Sequence, residues 1–376
     1  MEFPRPATAV PLPFDATLAQ LAHATGMTTA RLQGIVSRRI DPWHTFSIRK
    51  RGGGRRTICV PDADLLALQR WVHRHLLCHP QSLARLMPQA TAYRPGGSHL
   101  ANAEAHLGAG WLLKLDLVRF FESISERQVW HVFRALGFAP RTALLLTRAC
   151  TRVLPLAVDR RYFDRTPRWR TGAERSPNEK FHPRPRVVGH LPQGAPSSPM
   201  LANLVCHALD AQLQQLAQSC SEHAVRYTRY ADDITFSGPP MTAAALNALC
   251  GRLLREATRA ITRYGFGVQW RKVQLVRRGA RRIVTGLLVD GDALHVPRPS
   301  RDALRQALYH LEQQGIEGHC AWLRIDDTQA YLARLRGQLA YLRSIEPVRG
   351  ARMLAQFDRL MAARGTVGTT GQMRNA

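Results

Sequence analysis

The chain has 376 residues, 45% of them hydrophobic, which is apolar material for a couple of packed subdomains and excludes an intrinsically disordered chain. Lys and Arg number 53 against 27 Asp and Glu, a formal net charge of +26, and that excess favours nucleic acid as partner over a mere solubility or membrane-surface role. The 7 cysteines form no CxxC pair, which argues against a disulfide framework or structural zinc; with no long apolar run to make a signal peptide or membrane span, the expected compartment is the reducing cytoplasm.

Residues up to about Ile40 read as one or two short helices behind a proline-rich lead. Phe46-Ser47-Ile48-Arg49-Lys50 and Arg56-Thr57-Ile58-Cys59-Val60 are β-prone runs around Gly52-Gly53-Gly54, a basic hairpin and not a phosphate loop, since GxxxxGK[ST] is absent. A helix is predicted from about Asp64 to Leu77, with Leu65, Leu68, Val72 and Leu76 on one face. After the Pro95-Gly96-Gly97 turn, Ser98 can cap a short helix that ends before Gly108. Residues 111–117 form an apolar run bearing Lys114 and Asp116, a buried strand. Ser125 and Gln128 have capping-box spacing and open the next helix. Residues 151–190 turn basic and proline-rich, an irregular insertion. Ser198-Pro199 starts a buried helix, residues 227–236 make two short strands meeting at a turn, and everything after Pro297 is helical on the leucines 304, 308, 311, 332, 335, 339 and 342. Residues 365–376 read as a frayed tail.

The chemistry concentrates in Arg229-Tyr230-Ala231-Asp232-Asp233-Ile234-Thr235. Adjacent aspartates at a tight turn repel when buried unless a cation sits between them, and Mg²⁺ prefers carboxylate oxygen; a solvated Asx turn is the plainer alternative. Asp116, at the end of an apolar strand, also needs a partner or a metal. Lys114 lies on its face of the strand and is one candidate. Two such strands side by side would assemble three carboxylates, the minimum for two-metal phosphoryl transfer.

Tyr230-Ala231-Asp232-Asp233 resembles the YxDD hairpin of reverse transcriptases, and three further stretches follow that family's order. Leu115-Asp116-Leu117-Val118-Arg119-Phe120-Phe121 is similar to its first catalytic motif. Leu191-Pro192-Gln193-Gly194-Ala195-Pro196-Ser197-Ser198-Pro199 is similar to its template and nucleotide loop, and Gly265-Phe266-Gly267-Val268-Gln269-Trp270-Arg271-Lys272 to its lysine motif. Asn102-Ala103-Glu104-Ala105-His106 and Val284-Thr285-Gly286 resemble the NAxxH and VTG elements of bacterial retron reverse transcriptases; by themselves they would read as a solvated helix face and a strand end. Val273 and Gln269 depart from the residues the family commonly has around its lysine, which touches positioning and removes no group the chemistry needs.

The resemblance implies an α+β right-hand polymerase fold: an N-terminal helical extension (1–45), fingers (46–110), an antiparallel palm sheet backed by helices (111–296, with the insertion near 151–190) and a helical thumb (297–364). It implies two Mg²⁺ ions on Asp116, Asp232 and Asp233, helped by the carbonyl of Leu117; Arg56 and Lys50 on the triphosphate; and Gln193, Gly194 and Tyr230 in the nucleotide pocket. Phe121 would be a steric gate against the 2′-hydroxyl, with Phe120 in the core, and Lys272 a proton donor to pyrophosphate. Asn102, His106, Val284, Thr285 and Gly286 would read the protein's own RNA, with Arg277, Arg278, Arg281 and Arg282 on its phosphates. The implied partners are dNTPs, a dedicated structured non-coding RNA and its branched RNA–DNA product primed from an internal 2′-hydroxyl, an effector protein in phage defence, and host RNase H for template removal. Two alternatives stay open: another bacterial reverse transcriptase with conventional priming, and a non-catalytic RNA-binding scaffold, against which the intact aspartates argue.

Overall fold

The computed structural model describes residues 12–49, 53, 55–153 and 189–367. Lys50, most of the basic insertion and residues 368–376 lie outside the described residues. The chain divides into two compact units. One contains the chain up to Asn102 together with Leu112–Leu275; the other contains Ala103–Trp111 and Val276 onward.

In the first unit, α1 (Leu18–Thr25) opens on a Thr17/Gln20 capping box, and α2 (Thr29–Val36) on a Thr28 cap. β1 (Trp43–Arg49) and β2 (Arg55–Pro61) form the expected basic hairpin, with Phe46 opposite Ile58 and Ile48 opposite Arg56. Asp62 caps α3 (Ala63–Val72), which a π-helical turn at His73–Leu77 prolongs; the predicted stripe of Leu65, Leu68, Val72 and Leu76 is buried. Then come α4 (Pro80–Leu83), α5 (His99–Glu104, with Ser98 as cap) and β3 (Trp111–Asp116). α6 (Glu126–Ala135) has the Ser125/Gln128 capping box and is followed by α7 (Pro140–Cys150).

Beyond the insertion, α8 (Ser198–Val205) is buried through Met200, Leu201, Ala202, Asn203 and Leu204. α9 (His207–Gln218) precedes the strands β4 (Arg226–Tyr230) and β5 (Asp233–Gly238), then α10 (Ala243–Arg263) and β6 (Gln274–Val276). The strands make one sheet in the order β4-β5-β3-β6, with β4 and β5 antiparallel. α9 packs on β4 and on α10, so the sheet has a helical backing. Leu209, Leu213, Ile234, Phe236 and Leu253 fill that core. β3, buried along nearly all its length, lies inside the sheet and carries its one acidic residue, Asp116, at its end.

The second unit has a small hairpin, β7 (Ile283–Val284) and β8 (Leu287–Leu288). The N–H of Gly108 donates to the carbonyls of Val289 (3.1 Å) and Gly291 (3.0 Å). Three helices follow: α11 (Arg298–Trp322), broken at Gly315 (φ 69°), α12 (Thr328–Ile345) and α13 (Pro347–Val367). Their leucines at 304, 308, 311, 332, 335, 339 and 342 are buried as the spacing predicts. The last helix continues two residues past Gly365, where a frayed tail was expected, because extending an existing helix fixes only one more residue per hydrogen bond. No helix among the described residues is long and apolar enough to cross a membrane.

Candidate active site

The site lies in the first unit, where β3 and the β4–β5 turn meet. Tyr230 pairs with Asp233, leaving Ala231 and Asp232 as a two-residue turn. The N–H of Leu117 donates to the Asp232 carbonyl at 3.0 Å, which sets the end of β3 beside that turn. Asp116 at the end of β3 thus lies beside the turn that carries Asp232 and Asp233.

Ala231 has a left-handed φ of 57°, a conformation that costs a non-glycine residue about 1–2 kcal/mol. Arg229 holds it: one guanidinium nitrogen donates to the Ala231 carbonyl at 2.9 Å and to Asn203 Oδ1 at 3.2 Å. Arg229 is itself wholly buried and forks onto Asp210 with two contacts of 2.7 Å, and the Tyr227 hydroxyl donates to the same carboxylate at 2.7 Å. Burial works against the Arg229 charge, but Asp210 outweighs it and the guanidinium stays protonated. Asp210 and Asn203 were not read from the sequence. An acidic residue amid the apolar Leu209 and Leu213 of α9 was the available signal, since a buried carboxylate needs a partner.

Asp116 pairs with Lys272 at 2.6 Å, not with Lys114. The segment before Lys272 runs alongside β3: the N–H of Val118 donates to the Gly267 carbonyl (2.7 Å) and that of Gln269 to the Asp116 carbonyl (2.8 Å). Burial, followed by the charges of Asp116 and Asp233, pushes the Asp232 carboxyl up to about 6. Asp233 is also raised by burial, with Lys114 pulling the other way and Asp116 adding to the rise. The hydrogen bond to Asp116 raises Lys272 and keeps its proton on.

Among the described residues, no three His, Cys, Asp or Glu side chains already converge as a metal site. The donor set nonetheless fits a hard divalent cation: three carboxylates whose charges oppose one another, beside a lysine that supplies the positive charge to Asp116.

Around the carboxylates, Arg56 is exposed on β2. The Gln193 carbonyl accepts from the Cys59 N–H at 2.7 Å, docking the 191–194 loop on β2. Gly194 has φ 114°, and a Cβ there would stand 2.8 Å from the Cys59 carbonyl, so only glycine fits. Phe120 is buried against Phe266 at 5.9 Å, whereas Phe121 is half-buried and 6.1 Å from Tyr93. Phe120 is thus the more buried of the two rings. Tyr93, also 6.4 Å from Tyr230, was missed. Lys50 lies outside the described residues.

The two subfamily elements need correction. Asn102 is 1% exposed and its Oδ1 accepts from Thr91 Oγ1 at 2.8 Å; His106 and Val284 are fully buried. These side chains face the interior and present almost no surface to a ligand in this structure. Thr285 and Gly286 are instead the two turn residues of the β7–β8 hairpin, both left-handed with φ 45° and 86°. Arg277, Arg278 and Arg281 are exposed, while Arg282 pairs with Asp290 at 3.0 Å.

Residues 48–313 match the reverse transcriptase (RNA-dependent DNA polymerase) family. The Retron Mx162 reverse transcriptase of Myxococcus xanthus is 32% identical over 90% of this chain and 66% of its own length. The Retron Mx65 reverse transcriptase of the same organism is also 32% identical, covering 91% of this chain and 71% of its own. The Retron Ec86 reverse transcriptase of Escherichia coli is 26% identical over 93% of this chain and 91% of its own. The chain belongs to the retron reverse transcriptases. Retron membership accounts for the four motifs in order and for both subfamily elements, and it makes RNA the template class. Reverse transcriptases as a family use divalent metal ions, in keeping with the carboxylate set. Among solved structures, a telomerase from Candida albicans with a telomeric RNA fragment is similar over 85% of this chain and 63% of its own at 10% identity and a TM-score of 0.42, too distant to add to the assignment.

Proposed function

We propose that this retron reverse transcriptase copies a dedicated structured non-coding RNA into DNA, primed from an internal 2′-hydroxyl, to give a branched RNA–DNA product that works with an effector protein in phage defence. Host RNase H would remove the copied template. In this reading residues 46–110 are fingers, 111–296 palm and 297–364 thumb. The observation that carries it is the crowding of Asp116, Asp232 and Asp233 around the Leu117–Asp232 backbone contact, beside Lys272.

Asp116 and Asp232 would hold two Mg²⁺, with Asp233 and the Leu117 carbonyl assisting. Bound there, the ions would supply the charge that lowers the pKa of the primer hydroxyl and neutralises the phosphates. The chain's own residues do the rest. Arg56 and Lys50 grip the triphosphate, Gln193, Gly194 and Tyr230 line the nucleotide pocket, and the Phe121 ring excludes a 2′-hydroxyl. Lys272, protonated at Nζ, would give its proton to departing pyrophosphate. The exposed Arg277, Arg278 and Arg281 and the Thr285–Gly286 turn contact the RNA. His106, Val284 and Arg282 maintain the local fold that presents them.

Primer extension with purified protein and Mg²⁺ tests the catalytic part: Asp232→Asn should fold and bind RNA yet make no cDNA. Extension near the wild-type rate would remove Asp232 from the site. Sequencing the nucleic acid that copurifies tests the rest. One structured RNA joined to DNA through a 2′ branch is expected; linear cDNA on mixed RNAs would mean conventional priming.

A further inference from the structure

Tyr93 has an unusual combination of features. Its backbone is left-handed (φ 58°), a costly state for an aromatic residue, yet its side chain is 40% exposed, so core packing is not what the conformation gains. The ring has two aromatic neighbours from the proposed nucleotide pocket. It lies 6.1 Å from Phe121 at 45° and 6.4 Å from Tyr230 at 37°. Burial and then the Asp232 charge raise its hydroxyl pKa, while Arg56 and Arg229 act in the opposite sense.

The loop around it is fixed at both ends. The Arg229 N–H donates to the Gln89 carbonyl (2.9 Å), and the Thr91 N–H donates back to Arg229 (3.0 Å), joining the loop to the strand that ends in the catalytic turn. Thr91 Oγ1 donates to Asn102 Oδ1 (2.8 Å), and Asn203 Nδ2 donates to the Ala92 carbonyl (2.6 Å). Arg94 donates to the Met87 carbonyl at 3.1 Å. At Gly97 a Cβ would stand 2.3 Å from the Thr91 carbonyl, so the loop closes on itself without room for a side chain.

A steric gate discriminates only if its ring cannot swing aside. Phe121 has two ring neighbours, Phe120 at 5.4 Å and Tyr93 at 6.1 Å. We propose that Tyr93 is a specificity-determining residue for the sugar of the incoming nucleotide: its ring backs Phe121, and the Asn102–Thr91 and Asn203–Ala92 hydrogen bonds hold it there. Asn102, the first residue of the retron NAxxH element, is thereby a positioning residue for nucleotide selection. This rests on the reading of Phe121 as the sugar gate.

The test is single-nucleotide incorporation by the full chain on an annealed primer–template with Mg²⁺, comparing kcat/KM for a deoxynucleotide and its ribonucleotide. Phe121→Ala should lower the ratio. Tyr93→Ala should lower it about tenfold, while Tyr93→Phe keeps the wild-type ratio because the ring and not the hydroxyl does the backing. Asn102→Ala should move the ratio the same way by a smaller factor, and the double variant Tyr93→Ala/Phe121→Ala should go no lower than Phe121→Ala by itself. Should Tyr93→Ala not unfold cooperatively, Tyr93→Leu is read by the same criteria. A ratio unchanged in the Tyr93 variant but lowered in Phe121→Ala overturns the proposal and leaves the gate standing. A ratio lowered in Tyr93→Ala but not in Phe121→Ala also overturns it, since Tyr93 would not be acting through the gate. If neither variant moves the ratio, the gate reading falls as well. Equal loss with both sugars in Asn102→Ala would strip Asn102 of its part.

Discussion

Arg229 and Asp210 show how much of the site depends on groups that never touch substrate. Both are buried, and the guanidinium holds the strained Ala231 carbonyl as well as the carboxylate. Asp210→Ala would leave a buried, unpaired cation, a change worth about 3–5 kcal/mol. Urea unfolding should show that loss, and Asp210→Leu/Arg229→Met should recover much of it; a single variant as stable as wild type would mean the pair carries no weight. The carboxylates themselves give a pH dependence. Burial first, then Asp116 and Asp233, push the Asp232 carboxyl up to about 6 from an ordinary 3.8, so the folded state binds more protons than the unfolded one between those values. Without metal, stability from this group therefore falls as pH rises through that window, and the repulsion is fully developed above it. Mg²⁺ bound as proposed would relieve that repulsion. Melting temperatures with and without Mg²⁺ should differ more at pH 7.5 than at pH 5, and an equal increment at both would dissociate the ion from Asp232. At this scale the aspartates were legible because adjacent acids in an apolar setting are chemically conspicuous. Asp210 and Tyr93 were not, because their meaning depends on partners 19 residues (Arg229) and 28 residues (Phe121) away in sequence, which only the fold supplies.

Elements with a strong local signal were readable in the chain. The Ser125 capping box, the α3 stripe and the YADD hairpin each carry their own periodicity or turn chemistry, and each forms as expected. Which face of a short helix turns inward has no such signal. α5 has only six residues, and the polar Asn102 reads equally well as solvated or as the buried partner of Thr91. Close approach is hidden in the same way. Gly350 looks like an ordinary helix position, yet a Cβ there would stand 2.2 Å from Arg343 Cα, where α13 leaves α12. Backbone cannot yield as a side-chain end can. Gly350→Ala should therefore destabilise the helical unit by about 1–3 kcal/mol despite the better helix propensity of alanine. A thermal melt in which this variant gains stability would show that the turn between the helices relaxes freely.

The charge of +26 belongs to the molecule as a whole, and it predicts binding to any polyanion, specific or not. Sequence alone does not distinguish the arginines that meet phosphate from those that hold the fold together. The structure separates some of them: Arg229 is buried on Asp210 and Arg282 is paired with Asp290, while Arg277, Arg278 and Arg281 are exposed ahead of the β7–β8 turn. Each phosphate contact releases condensed counterions, so its loss reduces the steepness with which affinity falls as salt rises. Replacing Arg277, Arg278 and Arg281 together by Gln should lower the slope of log K against log salt for the copurifying RNA by about 2–3, at roughly 0.7–0.9 per phosphate. Equilibrium binding across a salt series measures this directly. The same substitution should leave the melting temperature nearly in place, since all three side chains are exposed. An unchanged slope would move the RNA interface off this segment, and an equal drop in slope on unrelated single-stranded RNA would show that the three arginines serve general attraction and not the protein's own template.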